Sequence, residues 1–495
     1  MNATFNAADP SEVVRGTTVR STHGNSVIPI LPLAALIVLA AIVRLIATHN
    51  DLWLDELISL RIANAVKTPW QIFSNVHSDN NHYLNTLFLY FAKKQSYAPA
   101  YRWLSVLWGV LLIPAGYWLM VRRSRVEALI LAGLLACSYP LIHFSSEARG
   151  YSGALLGSVL ACAALARWMT RTERGRESFY LGLVYGLALV LAILSHLTAC
   201  LIWCSLAAGS LITLAQRPER GKWISRWIAL NLLPASVFAA LYFLDLRFLT
   251  ELGGPPMTVW HALGRLLALG LGWPAKDVAS VLIVASPLIG LIAWQLAAER
   301  KSEDPLAVLL TMIYLVPILC VVIMQPSFFS PRYFLVILPF LYVPSAMLLA
   351  RLVTAQKGRI AVVAVLALFL AGQVHLYAQF LQVGRGQFNA ALQYMTAHTQ
   401  SSQLKLASDQ DFRSSVELAY FAPRVLRNQQ LVYVTRDSRG SIEPDWYIVH
   451  KEGYEAPGPA ELKISGQPTW YRVENFGASE LSGQAWTIYR RQPVK

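Results

Sequence analysis

Long apolar runs separated by short polar segments dominate the chain up to about residue 380. A membrane-spanning helix needs about 20 mainly apolar residues, and eleven runs approach that length, at about 29–48, 103–121, 126–144, 151–169, 178–194, 197–215, 227–246, 278–297, 306–324, 333–353 and 359–380. Two further stretches, 82–92 and 258–273, are shorter or interrupted by Gly270 and Gly272. The pattern therefore predicts about eleven transmembrane helices with additional juxtamembrane or re-entrant helices.

The distribution of Lys and Arg supports this count. Short cytoplasmic loops of polytopic proteins carry an excess of positive charge. With a cytoplasmic tail at 1–28, every inner loop is basic, because these loops hold Arg122, Arg123 and Arg125; Arg171, Arg174 and Arg176; Arg217, Arg220 and Lys222; Arg300 and Lys301; and Lys357 and Arg359. Counting either short stretch as a full span would move the later basic loops to the outer side.

The same topology leaves three segments outside: a first loop at 49–102, a loop at 247–277 that contains Gly253, Gly254, Pro255 and Pro256, and the tail 384–495. The tail has strand-like segments separated by Gly and Pro turns, at Leu431 to Thr435, Trp446 to His450, Thr469 to Val473 and Ala485 to Tyr489. We therefore expect a polytopic all-α membrane domain over 29–383, followed by a small α/β extracytoplasmic domain.

Composition agrees with this organisation. Of 495 residues, 55% are hydrophobic and 14% are charged, which is too apolar for a soluble protein. The net charge of +14 lies in short clusters between apolar runs and forms no basic face, so nucleic-acid binding is not expected. All five cysteines lie within apolar runs without zinc-ligand spacing, so we expect neither disulfides nor structural zinc. The first apolar run lacks a small-x-small exit site and predicts an uncleaved anchor.

Ionisable residues are almost absent from the spans, Arg44 being one exception. Pumps and ion-coupled carriers usually need charged groups at midplane depth. The unusual polar residues gather instead at the outer membrane boundary, which favours a surface enzyme over a transporter.

Three outer constellations are candidates for chemistry. Asp55 and Glu56 follow the first span and begin an apparent amphipathic helix with Leu57, Ile58, Ile62 and Ala65 on one face. Asp55 has the chemistry of a general base for a hydroxyl, and the alternative is that it is the N-cap of this helix.

The second constellation is Glu147, Arg149 and Tyr151, between the third and fourth spans. Arg149 lies outside in this topology, against the bias of positive charge towards the cytoplasmic loops. Its paired N–H donors suit the binding of a phosphate. Glu147 could orient Arg149 or act as a second acid. The alternative is an interfacial ion pair with Tyr151 as an aromatic anchor.

The third constellation is Arg332 and Tyr333, where Arg332 either holds a phosphate or snorkels to the interface. His82 and His196 are candidate ligand contacts, although each also suits an ordinary boundary position.

In order and position these pieces resemble the GT-C superfamily of polyprenyl-phosphate-sugar-dependent glycosyltransferases, in particular the bacterial relatives of protein O-mannosyltransferases and of the aminoarabinose transferases that modify lipid A. The resemblance rests on Asp55-Glu56, His82, the 102–121 span with its basic end, the 147–151 motif, and Arg332-Tyr333 leading into Leu338-Pro339. Where many members have His-Pro-Pro-Leu-Tyr-Tyr, residues 82–87 read His-Tyr-Leu-Asn-Thr-Leu.

The resemblance implies an inverting transferase of a bacterial inner membrane, with its carboxy-terminal domain in the periplasm. Asp55 would deprotonate or orient an acceptor hydroxyl, and Glu147 would act as an auxiliary acid or orienter. Glu56, His82, Arg149, Tyr151, His196, Arg332 and Tyr333 would contact substrates, with Arg149 or Arg332 stabilising the departing phosphate. Trp53, Trp70 and Tyr83 suit stacking on sugar rings as well as anchoring in the interface.

The implied partners are a polyprenyl-phosphate-linked sugar donor, a glycolipid, glycan or protein acceptor, and membrane lipids. A divalent cation shared by Asp55 and Glu147 stays open, because no ligand spacing demands one. Two other functions also fit the sequence: a lipid-linked glycan flippase or transporter, and a non-catalytic scaffold whose outer tail binds envelope glycan.

Overall fold

The computed structural model describes residues 30–92, 97–170, 175–249, 257–274, 278–299, 304–325, 330–355, 358–438, 441–453, 456–464 and 468–491. The predicted cytoplasmic tail 1–28, the Gly and Pro residues at 253–256, and the basic positions 171, 174, 300, 301 and 357 lie outside these ranges.

Helices form at every predicted apolar run. The first part of the chain contains α1 (Ile30–Ile46), α2 (Leu54–Ala65), α3 (Gln71–Ser74), α4 (Tyr83–Ala92), α5 (Trp103–Met120), α6 (Arg125–Cys137), α7 (Tyr139–Ser145), α8 (Tyr151–Met169), α9 (Arg176–Ser195), α10 (Ala199–Ala215), α11 (Arg220–Leu244), α12 (Val259–Gly270), α13 (Val278–Glu299), α14 (Pro305–Met324), α15 (Leu338–Thr354) and α16 (Gly358–Val383). Short 3-10 helices lie at Ala98–Arg102, Leu246–Phe248 and Pro331–Ile337.

The chain is a multi-pass membrane protein, as predicted. Within the described residues, seven helical segments have the length and hydropathy to cross a membrane, and α6 with α7 makes an eighth if the bent pair is one span. The apolar helices α1 and α10 are shorter, with 17 residues each. The polytopic helical fold is confirmed, and the number of helices that cross the membrane stays a prediction.

The predicted third span is broken. Its two halves, α6 and α7, are bent by 60°. The break lies at Ser138, whose backbone is extended, just before Tyr139 and Pro140. Proline has no N–H to donate to the preceding turn, and it crowds the backbone of the residue before it, so the helix restarts in a new direction.

Arg44 of α1 stabilises this break. Its guanidinium is fully buried and donates to the carbonyl oxygens of Leu135 and Ala136, at 3.2 Å each. These carbonyls belong to the last turn of α6, where a helix has no partner of its own for them. An arginine inside an apolar helix is therefore explained by the helix end that it caps.

The short helices α2, α4 and α12 lie where the sequence placed its amphipathic and juxtamembrane segments. The buried face of α2 differs from the predicted one: Leu57 and Leu60 are buried, whereas Ile58 and Ile62 are only half-buried and Ala65 is exposed. The reason is that protein covers α2 on more than one side, since it packs against α4 and against the carboxy-terminal domain.

The carboxy-terminal domain is α/β, as predicted. It contains α17 (Phe388–Ala397), β1 (Gln403–Ser408), α18 (Asp411–Val425), β2 (Gln430–Tyr433), β3 (Trp446–Glu452), β4 (Glu461–Leu462), β5 (Trp470–Phe476) and β6 (Gln484–Arg490). The sheet order is β2-β1-β3-β6-β5-β4, with β1 parallel to both β2 and β3 and the remaining pairs antiparallel. The four predicted strands are present, and β1 and β4 are additional.

This domain shares a hydrophobic core with the segment predicted to be the first outer loop. Leu57 and Leu60 of α2 belong to the same cluster of buried side chains as Phe388, Phe421 and Trp486. The domain is consequently packed onto the segment that carries Asp55.

Candidate active site

Asp55 lies between two arginines at the start of α2. Its Oδ2 accepts a hydrogen bond from Arg332 Nη1 at 2.7 Å and is 3.5 Å from Arg149 Nη2. Of the residues that the structure describes, none donates to Oδ1. The Asp55 side chain is 15% exposed, so the carboxylate is largely enclosed and still reachable.

Asp55 is not the N-cap of α2. The helix begins at Leu54 with Trp53 in the cap position, and the carboxylate that accepts from the cap N–H is that of Glu56, at 3.1 Å. The side chain of Asp55 is therefore free of the capping role that the sequence left open.

Asn80 joins Arg149 to the backbone beneath Asp55. Its amide Nδ2 donates to Asp55 O and to Ser59 Oγ, both at 2.9 Å, while its Oδ1 accepts from Arg149 Nη1. Arg149 also lies 3.4 Å from the same backbone oxygen through Nη1. These hydrogen bonds hold the nearly buried guanidinium of Arg149 against the carboxylate of Asp55.

Arg332 comes from the 3-10 turn that precedes α15. Its guanidinium carbon lies 5.6 Å from the ring of Trp53 and 5.8 Å from that of Tyr333, within cation–π range. The turn starts at Pro331, where a missing N–H costs nothing. Arg332 is thus held against a carboxylate and two rings and does not simply snorkel.

Glu56 forms a buried ion pair with Arg102. Arg102 Nε and Nη2 donate to the two carboxylate oxygens at 2.7 and 2.6 Å, and Ala148 N donates to Oε1 at 2.7 Å. Burial alone would raise the pKa of Glu56, but the charge and hydrogen bonds of Arg102 outweigh it and lower that pKa. Both side chains are fully buried, so these contacts favour a structural role for Glu56, and its substrate contact stays a prediction.

Glu147 is also fully buried, although the sequence suggested an auxiliary acid. Its Oε1 accepts from Trp53 Nε1 at 2.8 Å, its Oε2 accepts from Ser482 Oγ at 3.0 Å, and Arg385 Nε lies 3.9 Å away. Burial raises the pKa of Glu147, and the charge of Arg385 partly offsets this. Glu147 fixes the Trp53 ring that lies near Arg332, and its predicted roles, an auxiliary acid or an orienter of Arg149, stay predictions.

The carboxy-terminal domain supplies part of this network. Ser482 Oγ is 2.5 Å from His143 Nε2, and Arg385 Nη2 donates to His143 O at 2.5 Å and to Ser146 Oγ at 3.1 Å. Gly483 follows with φ +146°, and a Cβ there would lie 2.4 Å from Arg385 O. Only glycine fits this close approach, which places Ser482 against His143 and Glu147.

His82, Tyr151 and His196 form a ring cluster next to Arg149. The ring of His196 lies 4.5 Å from each of the other two, and Gly150 N donates to His82 Nδ1 at 3.1 Å. Burial, followed by the charge of Arg149, lowers the pKa of both histidines well below their usual range. Both imidazoles are therefore neutral at neutral pH and add no positive charge to the site.

The structure thus assembles most of the predicted residues. Asp55, Arg149, Arg332, Tyr151, Tyr333, His82 and His196 surround one region, while Glu56 and Glu147 lie in the buried layer behind it. Tyr83 is not available for stacking because it is buried and donates to Asp245 Oδ2 at 2.6 Å, and Trp70 is 61% exposed. Among the described residues, no three His, Cys, Asp or Glu side chains converge as metal ligands.

The sequence interpretation missed Asn80, Arg102, Arg385 and Ser482. Arg102 and Arg385 had the same sequence signal as Arg149, since each is an arginine on the side predicted to be extracytoplasmic, where positive charge is scarce. Nothing in the sequence distinguished Asn80 and Ser482 from ordinary loop residues.

Solved structures of other proteins have a similar architecture. No protein-family model matches the chain, and no curated protein sequence matches it. Among solved structures, ArnT from Cupriavidus metallidurans in the apo state matches with a TM-score of 0.56 and 12% identity over 93% of this chain and 98% of ArnT.

The same protein bound to undecaprenyl phosphate matches with a TM-score of 0.53 and 13% identity over 94% of this chain and 98% of that one. The archaeal oligosaccharyltransferase AglB from Archaeoglobus fulgidus, with an inhibitory peptide and a dolichol-phosphate, gives a TM-score of 0.48 and 11% identity, over 86% of this chain and 70% of AglB. The matches to ArnT show that the chain has the fold of ArnT.

Proposed function

We propose that this protein is an inverting glycosyltransferase that moves a sugar from a polyprenyl-phosphate donor to an acceptor hydroxyl, at the outer face of a bacterial inner membrane. The observation that carries the proposal is the placement of the Asp55 carboxylate against the guanidiniums of Arg332 and Arg149. The ArnT fold, one structure of which holds undecaprenyl phosphate, adds support for a lipid-phosphate donor.

The proposed reaction is one displacement. The acceptor hydroxyl attacks the anomeric carbon as the bond from that carbon to the phosphate oxygen breaks, and the hydroxyl proton passes to Asp55. The electron pair of the broken bond leaves with the polyprenyl phosphate, whose added charge Arg149 and Arg332 stabilise. Attack from the face opposite the departing phosphate inverts the anomeric configuration.

The hydrogen bonds around Asp55 give its two carboxylate oxygens different roles in the proposed reaction. Oδ2 faces the arginines, and Oδ1 accepts nothing from the described residues, which leaves it for the acceptor hydroxyl. His82 and His196 lie beside Arg149. Because their rings are neutral, they do not compete with Arg149 for the negative charge of a phosphate.

The arginines also make the base dependent on the donor. A phosphate bound to Arg332 would share the positive charge of this guanidinium with Asp55 Oδ2, because one guanidinium can donate to a carboxylate and to a phosphate at the same time. Donor binding would therefore loosen the carboxylate at the moment when an activated sugar is present. We infer an order in which the donor binds before the acceptor hydroxyl is deprotonated.

The proposal is tested by mass spectrometry of envelope glycolipids and glycoproteins from a strain that lacks the gene, complemented with the parental chain, Asp55→Asn or Asp437→Asn. Asp437 is an exposed aspartate of the outer domain and serves as the matched control. We expect a sugar modification that is lost on deletion, restored by the parental chain and by the control, and not restored by Asp55→Asn at equal abundance in the membrane.

Restoration by Asp55→Asn would overturn the proposal. A flippase would instead move labelled polyprenyl phosphate between the leaflets of proteoliposomes without forming a glycosidic bond. A glycan-binding scaffold would tolerate changes at Asp55.

A further inference from the structure

A groove on the lipid-facing side of the helical domain lies between α9 and α11, with Trp168 of α8 also lining it. Its volume is about 710 Å³, and its walls are mainly apolar, including Phe179, Leu183, Leu230 and Leu233. Phe179 is 68% exposed and Leu183 is 42% exposed. In a membrane these side chains face acyl chains, not water.

The groove lies at the end of the helices remote from Asp55. It starts beside Arg176, the first residue of α9, and α9 runs for 20 residues, or about 30 Å. His196, which belongs to the candidate active site, directly follows the other end of that helix. A phosphate held at the candidate active site therefore cannot also contact Arg176 and Arg226 of this groove.

Two arginines stand at the mouth of the groove, Arg176 on α9 and Arg226 on α11. Arg176 Nε is 3.1 Å from Tyr180 Oη, and the Arg226 guanidinium lies 4.6 Å from the ring of Trp223. Neither forms an ion pair with an acidic residue in the described part of the chain. These aromatic contacts hold both guanidiniums beside the groove. The charge of Arg226 acts on Glu219, whose carboxylate is hydrogen-bonded to Lys222.

Three neighbouring cations at the same end of the helices form ion pairs with acidic residues. Arg122 is 3.3 Å from Glu177, Arg123 is 3.0 Å from Asp304, and Lys222 is 2.6 Å from Glu219. Unlike these three, Arg176 and Arg226 have no described acid within ion-pair distance, and both line the apolar groove. An amphiphile with an anionic head and an aliphatic tail complements both features.

We propose that this groove binds an anionic diacyl phospholipid, with its phosphate between Arg176 and Arg226 and an acyl chain along Leu183, Leu230 and Leu233. The phosphate supplies an anionic partner that no described acid provides within ion-pair distance, and the acyl chain covers a concave apolar surface that the neighbouring helices leave open. This site is separate from the proposed transferase chemistry and does not depend on it.

The site is tested with the full-length protein in nanodiscs that contain equal amounts of phosphatidylglycerol and phosphatidylcholine with identical acyl chains. Native mass spectrometry after release reports which lipid stays bound. We expect the parental protein to retain phosphatidylglycerol preferentially, and Arg176→Gln/Arg226→Gln to lose that preference by on the order of 10- to 30-fold.

Two further variants separate the headgroup from the chain contact. Arg220→Gln removes a positive charge at the same end but outside the groove, and we expect it to retain the phosphatidylglycerol preference. Ala229→Phe fills the groove and leaves both arginines in place, and we expect it to lower the amount of bound phospholipid of either kind.

Equal retention of the two lipids by the parental protein would overturn the proposal, as would an unchanged preference in Arg176→Gln/Arg226→Gln. An equal loss in Arg220→Gln would show that the positive charge of the whole end matters, and would also overturn the site. Asp55→Asn should bind phosphatidylglycerol as the parental protein does, so failure of the proposed transferase activity would not affect this result.

Discussion

Arg332 and Asp55 are 277 residues apart in the chain, yet Arg332 Nη1 donates to Asp55 Oδ2 at 2.7 Å. One residue follows the first span, and the other precedes α15. The pair joins the candidate base to the candidate phosphate ligand, so changing either member should alter how the other works.

Arg332→Gln should mainly impair use of the donor. The variant keeps a hydrogen-bond donor but removes the charge that offsets a departing phosphate, so we expect kcat/KM for the donor to fall by about 10- to 100-fold. Arg332→Lys should recover part of the loss, because it restores the charge without the planar fork. Initial rates at varied donor concentration measure the effect. Arg424→Gln, at an exposed arginine over Tyr420, is the control, and parental donor kinetics in Arg332→Gln would remove this residue from the site.

Glu56→Gln should destabilise the protein. Removing one member of a fully buried ion pair leaves the other charge without compensation, which typically costs about 3–5 kcal/mol. The Arg102 guanidinium would keep its backbone bonds to Thr48 and Asp51 but lose its carboxylate. We expect a lower thermal unfolding midpoint in detergent and less protein in the membrane. A normal midpoint combined with lost transfer would instead restore Glu56 to the predicted substrate contacts.

Ser482→Ala should reduce turnover with little change in donor KM. Ser482 contacts Glu147, and Glu147 holds the Trp53 ring beneath Arg332, so the residue acts on positions and does not touch the substrate. A net hydrogen bond is worth roughly 1 kcal/mol, which suggests a fall in kcat of about fivefold.

Ser482→Thr restores the hydroxyl and should recover much of the rate, whereas Ser415→Ala, on the exposed face of α18, should have no effect. An equal loss in the Thr and Ala variants would mean that packing, and not the hydrogen bond, is what matters.

His450 should make the outer domain less stable at alkaline pH. Its ring nitrogens lie 2.7 Å from Asp409 and 3.2 Å from Glu417. Burial alone would lower the pKa of His450, but these two carboxylates outweigh burial and raise it from 6.5 to about 9. Because the pKa is raised on folding, this stabilisation is fully present below about pH 6.5 and is lost as the pH rises through about 9.

Hydrogen exchange of β3 and α18 in the full-length protein, corrected for intrinsic rates, measures this loss. We expect the opening free energy to fall by on the order of 3 kcal/mol between pH 6 and pH 10. His450→Gln should lack this pH dependence, and His398→Gln, at an exposed histidine of the same domain, should retain it. A parental protein with the same opening free energy at both pH values would contradict the assignment.

The fold class followed from the sequence because its determinants are local. Apolar runs of bilayer length form helices wherever they occur, since the membrane leaves backbone groups no other partner. The strands at Trp446 and Gln484 were likewise visible as strand-like segments between Gly and Pro turns. Asp55 stood out as a carboxylate at the start of a predicted amphipathic helix, and Arg149 and Arg332 stood out as arginines at the predicted outer boundary, where positive charge is scarce.

The roles of individual charges were decided by tertiary structure alone. Asp55 and Glu56 are adjacent and chemically alike, yet Glu56 is fully buried against Arg102 while Asp55 remains partly exposed between Arg149 and Arg332. A helix turns about 100° per residue, so neighbours on α2 face different surroundings. Which surroundings each meets depends on segments far away in the chain, and the local pattern does not encode those contacts. The same holds for Ser482, an ordinary turn residue until the outer domain packs it against Glu147.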